Sequence, residues 1–189
     1  CVFDRRDRKA ACVDRLNGRV EFTYDANNNL LAIKDQDACA RADVQPTTVY
    51  RYDPRNLLIQ ESYRDQPVEA HYTPARLDLN QFDPDDRRSY AYDGARRLVK
   101  RVDQLQQGTQ AATRYQYDLA SRLLTRQYPD AQNDTFTYDP ASRLTAAISQ
   151  RYSNMVSREY EPNGLLRRET VNVSGHAFQI GYAYDAANR

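Results

Sequence analysis

Acidic side chains supply most of the candidate chemistry in this sequence, which has 26 aspartates and glutamates among 189 residues. The densest acidic cluster is Asp83-Pro84-Asp85-Asp86, which lacks the alternating oxygen ligands and the closing glutamate of a calcium-binding loop. No pair of carboxylates is singled out by its spacing as the acid and base of a glycosidase. We therefore expect no metal, no cofactor and no catalytic residue in this chain.

Histidine and serine provide equally little evidence for an active site. His71 and His176 are the only histidines, which excludes a multi-histidine metal site within the chain. Ser174-Gly175-His176 lacks the context of a nucleophile elbow. The sequence therefore predicts that the chain is not an enzyme.

Three cysteines occupy positions 1, 12 and 39. Their spacing matches no zinc-binding pattern, and an odd number argues against a disulfide framework. The simplest interpretation is incidental thiols, with at most one local pair.

The overall charge is nearly balanced, since 27 lysines and arginines face 26 acids and leave a net charge of +1. This balance gives no electrostatic basis for binding nucleic acid or an anionic membrane. Mean hydropathy is −0.90, and no stretch approaches the ~20 apolar residues of a membrane-spanning helix. We expect no nucleic-acid partner and no membrane span.

The tyrosines and aspartates are organised as a repeat, which determines the fold prediction. An aromatic residue followed by an acid recurs along the whole chain, with a decayed copy at Tyr72-Thr73. The copies lie 20 to 28 residues apart, which indicates a unit of constant core length with variable connections. The nine repeats start near Phe3, Tyr24, Tyr52, Tyr72, Tyr92, Tyr117, Tyr138, Tyr160 and Tyr184.

Other positions of the unit are also phased with the aromatic residue. An aromatic residue often lies two positions before it, an arginine often five positions after it, and a leucine often six positions after it. The structural repeat residues predicted from this pattern are Tyr24, Asp25, Tyr50, Tyr52, Asp53, Tyr90, Tyr92, Asp93, Tyr115, Tyr117, Asp118, Arg122, Tyr138, Asp139, Arg143, Tyr182, Tyr184 and Asp185.

Each position of the unit has a structural interpretation. The aromatic-x-aromatic pattern has the period of two that places both rings on one face of a strand. The aspartate can hydrogen-bond the backbone two residues ahead and so start a turn. Asparagine or glycine often follows at the fourth position and tolerates the positive φ of a tight hairpin, although arginine at position 96 weakens this rule.

The fold prediction is therefore all-β, an antiparallel array with one hairpin per repeat. We expect turns over 26–29, 54–57, 119–122 and 140–143. We expect extended segments over 20–24, 48–52, 88–92, 113–117, 134–138 and 180–184.

Two structural roles and one functional alternative follow for these side chains. We expect each repeat arginine to pair with a carboxylate on a neighbouring hairpin. We expect the tyrosines to pack on one another as ladders along the sheet face. Exposed and aligned rings would instead suit a carbohydrate-binding platform.

The segments Tyr117-Asp118-Leu119-Ala120-Ser121-Arg122-Leu123 and Tyr138-Asp139-Pro140-Ala141-Ser142-Arg143-Leu144 resemble the YD repeat of the RHS family. The resemblance covers residues 1–189, which we interpret as a repeat region truncated at both ends. It implies a long sheet that spirals into a hollow shell. In bacterial RHS proteins and insecticidal toxin complexes such a shell encloses a C-terminal toxin, and teneurins have a related shell in adhesion receptors.

The resemblance implies a structural scaffold that is secreted or displayed at the cell surface. Its expected partners are flanking repeats and a C-terminal toxin domain of the same protein. The alternative is a module that binds cell-surface carbohydrate or mediates adhesion. The self-cleaving core of some family members is not matched, because Glu161-Pro162-Asn163-Gly164 is only a repeat turn.

Overall fold

The computed structural model describes residues 1–35, 46–63, 86–104 and 110–188. These residues form strands and turns, and no helix occurs among them. The strands are β1 (Val2–Phe3), β2 (Lys9–Val13), β3 (Arg19–Tyr24), β4 (Leu30–Lys34), β5 (Thr48–Tyr52), β6 (Leu58–Tyr63), β7 (Asp86–Tyr92), β8 (Leu98–Gln104), β9 (Gln110–Tyr117), β10 (Leu123–Gln127), β11 (Asn133–Tyr138), β12 (Leu144–Ser149), β13 (Asn154–Tyr160), β14 (Leu166–Val173) and β15 (His176–Gly181). Over the described ranges, no helix is long and apolar enough to cross a membrane.

The fifteen strands follow sequence order in one antiparallel sheet, so each strand neighbours the next one in the chain. This confirms the predicted all-β hairpin array. The chain divides into two compact units. Unit 1 comprises Cys1–Ala91 with Arg101–Gln110, and unit 2 comprises Tyr92–Lys100 with Ala111–Arg189.

The repeat positions coincide with strand ends. The YD tyrosine is the last residue of β3, β5, β7, β9, β11 and β13, and the leucine six positions later is the first residue of the next strand. The predicted segments 20–24, 48–52, 88–92, 113–117 and 134–138 are therefore confirmed. The prediction over 180–184 extends too far, because β15 ends at Gly181. Beyond that end, the Tyr182 amide still donates to the Arg167 carbonyl.

The turn between the two strands of a repeat is a type I turn closed by a bulge. In the turn after Tyr117, the Ser121 amide donates to the Asp118 carbonyl at 3.1 Å, and the Asp118 amide donates to the Arg122 carbonyl at 3.0 Å. Ser121 has φ of 64°, in the left-handed region. The predicted turns 26–29, 54–57, 119–122 and 140–143 are all confirmed.

The left-handed position of this turn is not restricted to the residues that favour it. Arg96, which weakened the sequence rule, adopts φ of 64° in the same place. A non-glycine residue is strained there, so the surrounding hydrogen bonds must hold it. The same turn forms from Tyr128 to Gln132, where Ala131 has φ of 64° and the first position is a tyrosine, so neither the aspartate nor a favourable left-handed residue is indispensable.

The buried core is thin. Among the described residues, the only buried hydrophobic side chains are Ala11, Ala32 and Val49. In unit 1, these side chains form a row across three strands. Ala32 of β4 pairs with Val49 of β5, which pairs in turn with the buried Ser62 of β6. Most other strand side chains are half-buried, so contacts between neighbouring hairpins carry much of the stability.

One cysteine pair is joined, as the sequence allowed. Cys1 and Cys12 form a disulfide with an S–S distance of 2.04 Å, which links the chain start to β2. The third cysteine, Cys39, lies outside the described residues. The repeat predicted at Tyr72 also lies outside them, and the flanking strands β6 and β7 pair directly with each other.

Candidate functional site

The candidate site is the joint between successive repeats, which is built from the aspartate, the arginine and the tyrosine of the motif. The aspartate acts within its own turn. In the turn after Tyr117, Asp118 Oδ1 accepts a hydrogen bond from the Arg122 amide at 2.9 Å, and Asp139 does the same with the Arg143 amide at 2.9 Å. These backbone bonds, followed by the arginine side chain, hold the pKa of both carboxyls below its usual range.

The first repeat shows the same arrangement most completely. Asp4 Oδ1 accepts from the amides of Arg6 at 2.8 Å and Arg8 at 3.0 Å. The Arg8 side chain, its amide and the Arg6 amide together lower the pKa of Asp4 to about 2. The charged aspartate therefore serves as a cap for the backbone amides of the turn.

The arginine pairs with the aspartate of its own turn, which corrects the prediction of a carboxylate on a neighbouring hairpin. Arg122 Nε donates to Asp118 Oδ2 at 2.6 Å, and Arg143 Nε donates to Asp139 Oδ2 at 2.6 Å. The turn brings residues four positions apart side by side, so the local carboxylate is reached first. The same pair forms between Arg8 and Asp4 and between Arg97 and Asp93.

The rest of the guanidinium group reaches the next repeat. Arg122 Nη1 donates to the Asp139 carbonyl at 3.1 Å and to Ser142 Oγ at 3.2 Å. One planar cation thus bridges two consecutive turns, which its five fixed donors allow. The bridge to the next acid's carbonyl recurs from Arg8 to Asp25 at 3.0 Å, from Arg97 to Asp118 at 2.9 Å and from Arg143 to Glu161 at 3.5 Å.

The tyrosine of the next repeat completes the joint. The Arg122 guanidinium carbon lies 4.9 Å from the centre of the Tyr138 ring, within cation–π range. The Tyr138 hydroxyl donates to the Leu123 carbonyl at 3.0 Å. The arginine contact recurs over Tyr24, Tyr117 and Tyr160 at 4.5 to 5.0 Å. The hydroxyl contact recurs from Tyr117, Tyr160 and Tyr184 at 2.8 to 2.9 Å.

These contacts change the interpretation of the tyrosines. Strand alternation places Tyr115 and Tyr117 on one face, as predicted, but the YD ring packs against the preceding arginine. Tyr50 and Tyr115, two positions earlier in the unit, lie opposite Glu61 and Arg126 on the returning strand. The sequence pattern marked both tyrosine positions, but it contained no signal for the hydroxyl bond to the leucine carbonyl.

Two repeats of unit 1 replace the arginine. After Tyr24 the position holds Asn29, whose amide donates to Asp25 Oδ2 at 2.8 Å and reaches Asn56 Oδ1 of the next turn at 2.9 Å. After Tyr52 the position holds Leu57, and Arg55 pairs with Asp53 instead. The turn forms in both repeats, so the aspartate can cap the turn amides without an arginine at this position.

A second polar cluster lies in unit 1, on β6, β7 and β8. Arg88 bridges two carboxylates, with Nε 2.6 Å from Asp103 Oδ1 and Nη1 3.4 Å from Glu61 Oε2. The Tyr63 hydroxyl donates to the same Glu61 oxygen. Burial, followed by the Glu61 carboxylate, raises the pKa of Tyr63. A second arginine, Arg101, pairs with Asp103 at 3.0 Å, so two arginines face the two acids. The described residues contain no group of three or more histidines, cysteines or acids that could hold a metal ion.

Comparison with known proteins provides a structural likeness and no sequence match. No family model matches the chain. No curated protein matches it either. Solved structures do match, including the complex TcdB2-TccC3-TEV, with a TM-score of 0.71 and 13% identity over 97% of this chain.

A second similar structure is the Tc holotoxin pore of Photorhabdus luminescens, with a TM-score of 0.69 and 14% identity over 95% of this chain. The chain spans only 10% and 9% of the lengths of these two proteins. At such identity the likeness establishes the fold. The phased motif resembles the YD repeat, and the hairpin array has the fold of segments of these two toxin-complex structures.

Proposed function

We propose that this chain is a wall segment of a hollow β-sheet shell that encloses a C-terminal toxin polypeptide in a secreted RHS-type protein. On this proposal the segment is a scaffold without a catalytic role of its own. Its partners are the flanking repeats and the enclosed polypeptide.

The observation that carries this proposal is the joint between repeats. The YD aspartate, arginine and tyrosine are the side chains best suited to bind a ligand. All three are engaged in bonds within and between hairpins. Each hairpin is thus held mainly by the next, which is the property that an extended wall requires. The likeness to segments of toxin-complex proteins supports the same use of the fold.

A carbohydrate platform would use the same tyrosines differently. A sugar stacks on an open aromatic face, whereas the rings of Tyr117, Tyr138 and Tyr160 each have a guanidinium group over them. A sugar at these positions would have to displace an arginine that is also bonded to two turns. The joint therefore favours the wall over the platform.

The test is protease protection of the polypeptide that follows these repeats, in the intact protein that contains them. We expect trypsin to leave that polypeptide undigested at neutral pH and to digest it once the wall is unfolded with urea. Equal digestion before and after unfolding would refute enclosure. Saturable binding of this chain to glycans on an array would support the platform instead.

A further inference from the structure

One joint of unit 2 lacks its arginine and has a pocket in that place. The joint connects the turn after Tyr160 with the turn after Tyr184, and its arginine position holds Leu165. The pocket has a volume of about 590 Å³, and residues of both turns line it. Those that the argument uses are Glu161, Leu165, Tyr184, Asp185 and Asn188.

The first joint of the chain shows which group normally fills such a place. There the Arg8 guanidinium donates to the carboxylate of its own turn, with Nε 2.7 Å from Asp4 Oδ2. Its Nη1 donates to the Asp25 carbonyl and to Asn28 Oδ1 of the next turn, each at 3.0 Å. Its carbon lies 4.6 Å from the centre of the Tyr24 ring. A guanidinium group in a complete joint thus meets a carboxylate, a carbonyl, an amide oxygen and a ring.

The pocket has the same four groups at the same motif positions. Glu161 is the acid of its own turn and supplies the carboxylate. In the next turn Asp185 supplies the carbonyl, and Asn188 supplies the amide oxygen, since it lies four positions after the tyrosine. Tyr184 supplies the ring. The surroundings of a repeat arginine are therefore present without the arginine.

The second turn of this joint keeps the usual geometry. The Tyr184 hydroxyl donates to the Leu166 carbonyl at 2.9 Å, as in the joints that have an arginine. Asn188 has φ of 59°, and its amide donates to the Asp185 carbonyl at 2.9 Å, so the turn is closed as in other repeats. Tyr184 is nevertheless 37% exposed, whereas the YD tyrosines that have a guanidinium group over the ring are half-buried. The ring is held in place while its face stays accessible.

The charges around the pocket permit a further cation. No lysine or arginine is among the described residues that line it. The Glu161 carboxylate has Arg167 Nε 3.7 Å away, in an exposed pair too long to contribute much. Arg143 Nη1 donates to the Glu161 carbonyl at 3.5 Å. The Asp118 carbonyl accepts an arginine in the same way, and the Asp118 carboxylate still pairs with a second one.

We propose that this pocket binds a guanidinium group, the arginine side chain of a second polypeptide, in place of the missing repeat arginine. The planar group donates to the Glu161 carboxylate, the Asp185 carbonyl and Asn188 Oδ1, and it lies over the Tyr184 ring. Its aliphatic stem lies against Leu165. An ammonium group lacks the planar fork that reaches both turns at once, so the site prefers arginine to lysine. The proposal does not depend on the enclosure of a toxin.

The test is an NMR titration of the intact ¹⁵N-labelled chain with N-acetyl-arginine amide, at neutral pH and constant ionic strength. We expect saturable shifts of the amides of Leu165, Tyr184 and Asn188. N-acetyl-citrulline amide has the same shape without the charge and should bind at least tenfold more weakly. N-acetyl-lysine amide keeps the charge without the planar group and should bind at least threefold more weakly. No saturable shift with the arginine compound, or equal affinity for either control compound, would overturn the proposal.

A variant that restores the motif locates the site. Leu165→Arg supplies the missing guanidinium group from the chain itself. It should weaken binding of N-acetyl-arginine amide at least tenfold and raise the midpoint of thermal unfolding. His176→Arg adds the same cation at the opposite end of β15 and should leave binding unchanged.

A second variant keeps the test valid if Leu165→Arg does not fold. Asn188→Ala removes one acceptor and should weaken binding at least threefold. Alanine is tolerated at this turn position, because Ala131 adopts φ of 64° in the equivalent place of another turn. Undiminished binding in Asn188→Ala and in a folded Leu165→Arg would place the guanidinium group elsewhere and refute the site.

Discussion

The repeats that start at Tyr92, Tyr117 and Tyr138 differ from those that start at Tyr24 and Tyr52 in one residue of the joint. The first group, in unit 2, has an arginine five positions after the tyrosine. The second group, in unit 1, has Asn29 or Leu57 there. Both groups make the same turn, with the amide of the acid bonded to a carbonyl four positions ahead at 2.9 to 3.0 Å. The turn and the joint are therefore separable. The aspartate caps the first through its bonds to the turn amides, and the arginine strengthens the second.

Acid should have the largest effect, because it acts on every turn aspartate together. The pKa of each of Asp4, Asp25, Asp53, Asp93, Asp118 and Asp139 lies below its ordinary value in the folded chain. A lowered pKa contributes stability that is complete above the unfolded value near 3.8 and is lost as pH falls through the folded value. We expect the urea midpoint to fall between pH 4 and about 2, the folded pKa of Asp4.

Amide exchange in the same pH range would sharpen the comparison. The amides of Asn29 and Leu57 should lose protection together with those of Arg122 and Arg143, since all four donate to a turn aspartate. If only the amides of Arg122 and Arg143 lost protection, the negative charge of the aspartate would matter for the ion pair and not for the turn.

Removal of a joint tyrosine should have the next largest effect. Tyr117→Ala loses a half-buried ring, its guanidinium contact with Arg97 and its hydroxyl bond to the Leu98 carbonyl. We expect a loss of about 2 kcal/mol in the free energy of unfolding, below the ~3–5 kcal/mol of a fully buried aromatic. Tyr152, which is 62% exposed, is the control, and Tyr152→Ala should cost less than ~0.5 kcal/mol. Equal losses in urea unfolding would show that the repeat position is not special.

Replacement of the arginine by lysine tests the joint while keeping the charge. Arg122→Lys loses the planar group that faces Tyr138 and bridges Asp118 to the Asp139 carbonyl. We expect a loss of about 1 kcal/mol from the weakened cation–π contact and bridge. Arg167→Lys, at a side chain that is 58% exposed, should cost less than ~0.5 kcal/mol. If chemical denaturation showed an unchanged free energy of unfolding for Arg122→Lys, the positive charge alone would account for the joint.

Installing the joint in unit 1 should give the smallest effect and the opposite sign. Asn29→Arg places a guanidinium group where it can reach the turn around Asn56 and the ring of Tyr52. We expect a gain of about 0.5 kcal/mol. Asn27→Arg is the control, because an arginine two positions earlier corresponds to Arg55, which pairs with Asp53 of its own turn. Similar gains from both variants, measured by thermal unfolding, would attribute the effect to the local ion pair.

The strand ends and turns could be predicted from sequence because the bonds that set them are local. Asp118 contacts amides within four residues, and the positive φ of Ser121 follows from that closure. The extent of β15 could not be predicted, since strand length depends on pairing beyond the motif. Its prediction over 180–184 assumed that each aromatic-x-aromatic pair ends a full strand.

The sequence by itself determined the hairpin unit, its repeat and its resemblance to a known family, because all three rest on short-range periodicity. Only the tertiary structure decided which partner each side chain meets. It placed the Arg122 guanidinium over the ring of the next tyrosine and joined Cys1 to Cys12. These contacts depend on the register between neighbouring strands, which is fixed by the lengths of the connections and by the bulges, and a motif read along one chain contains neither.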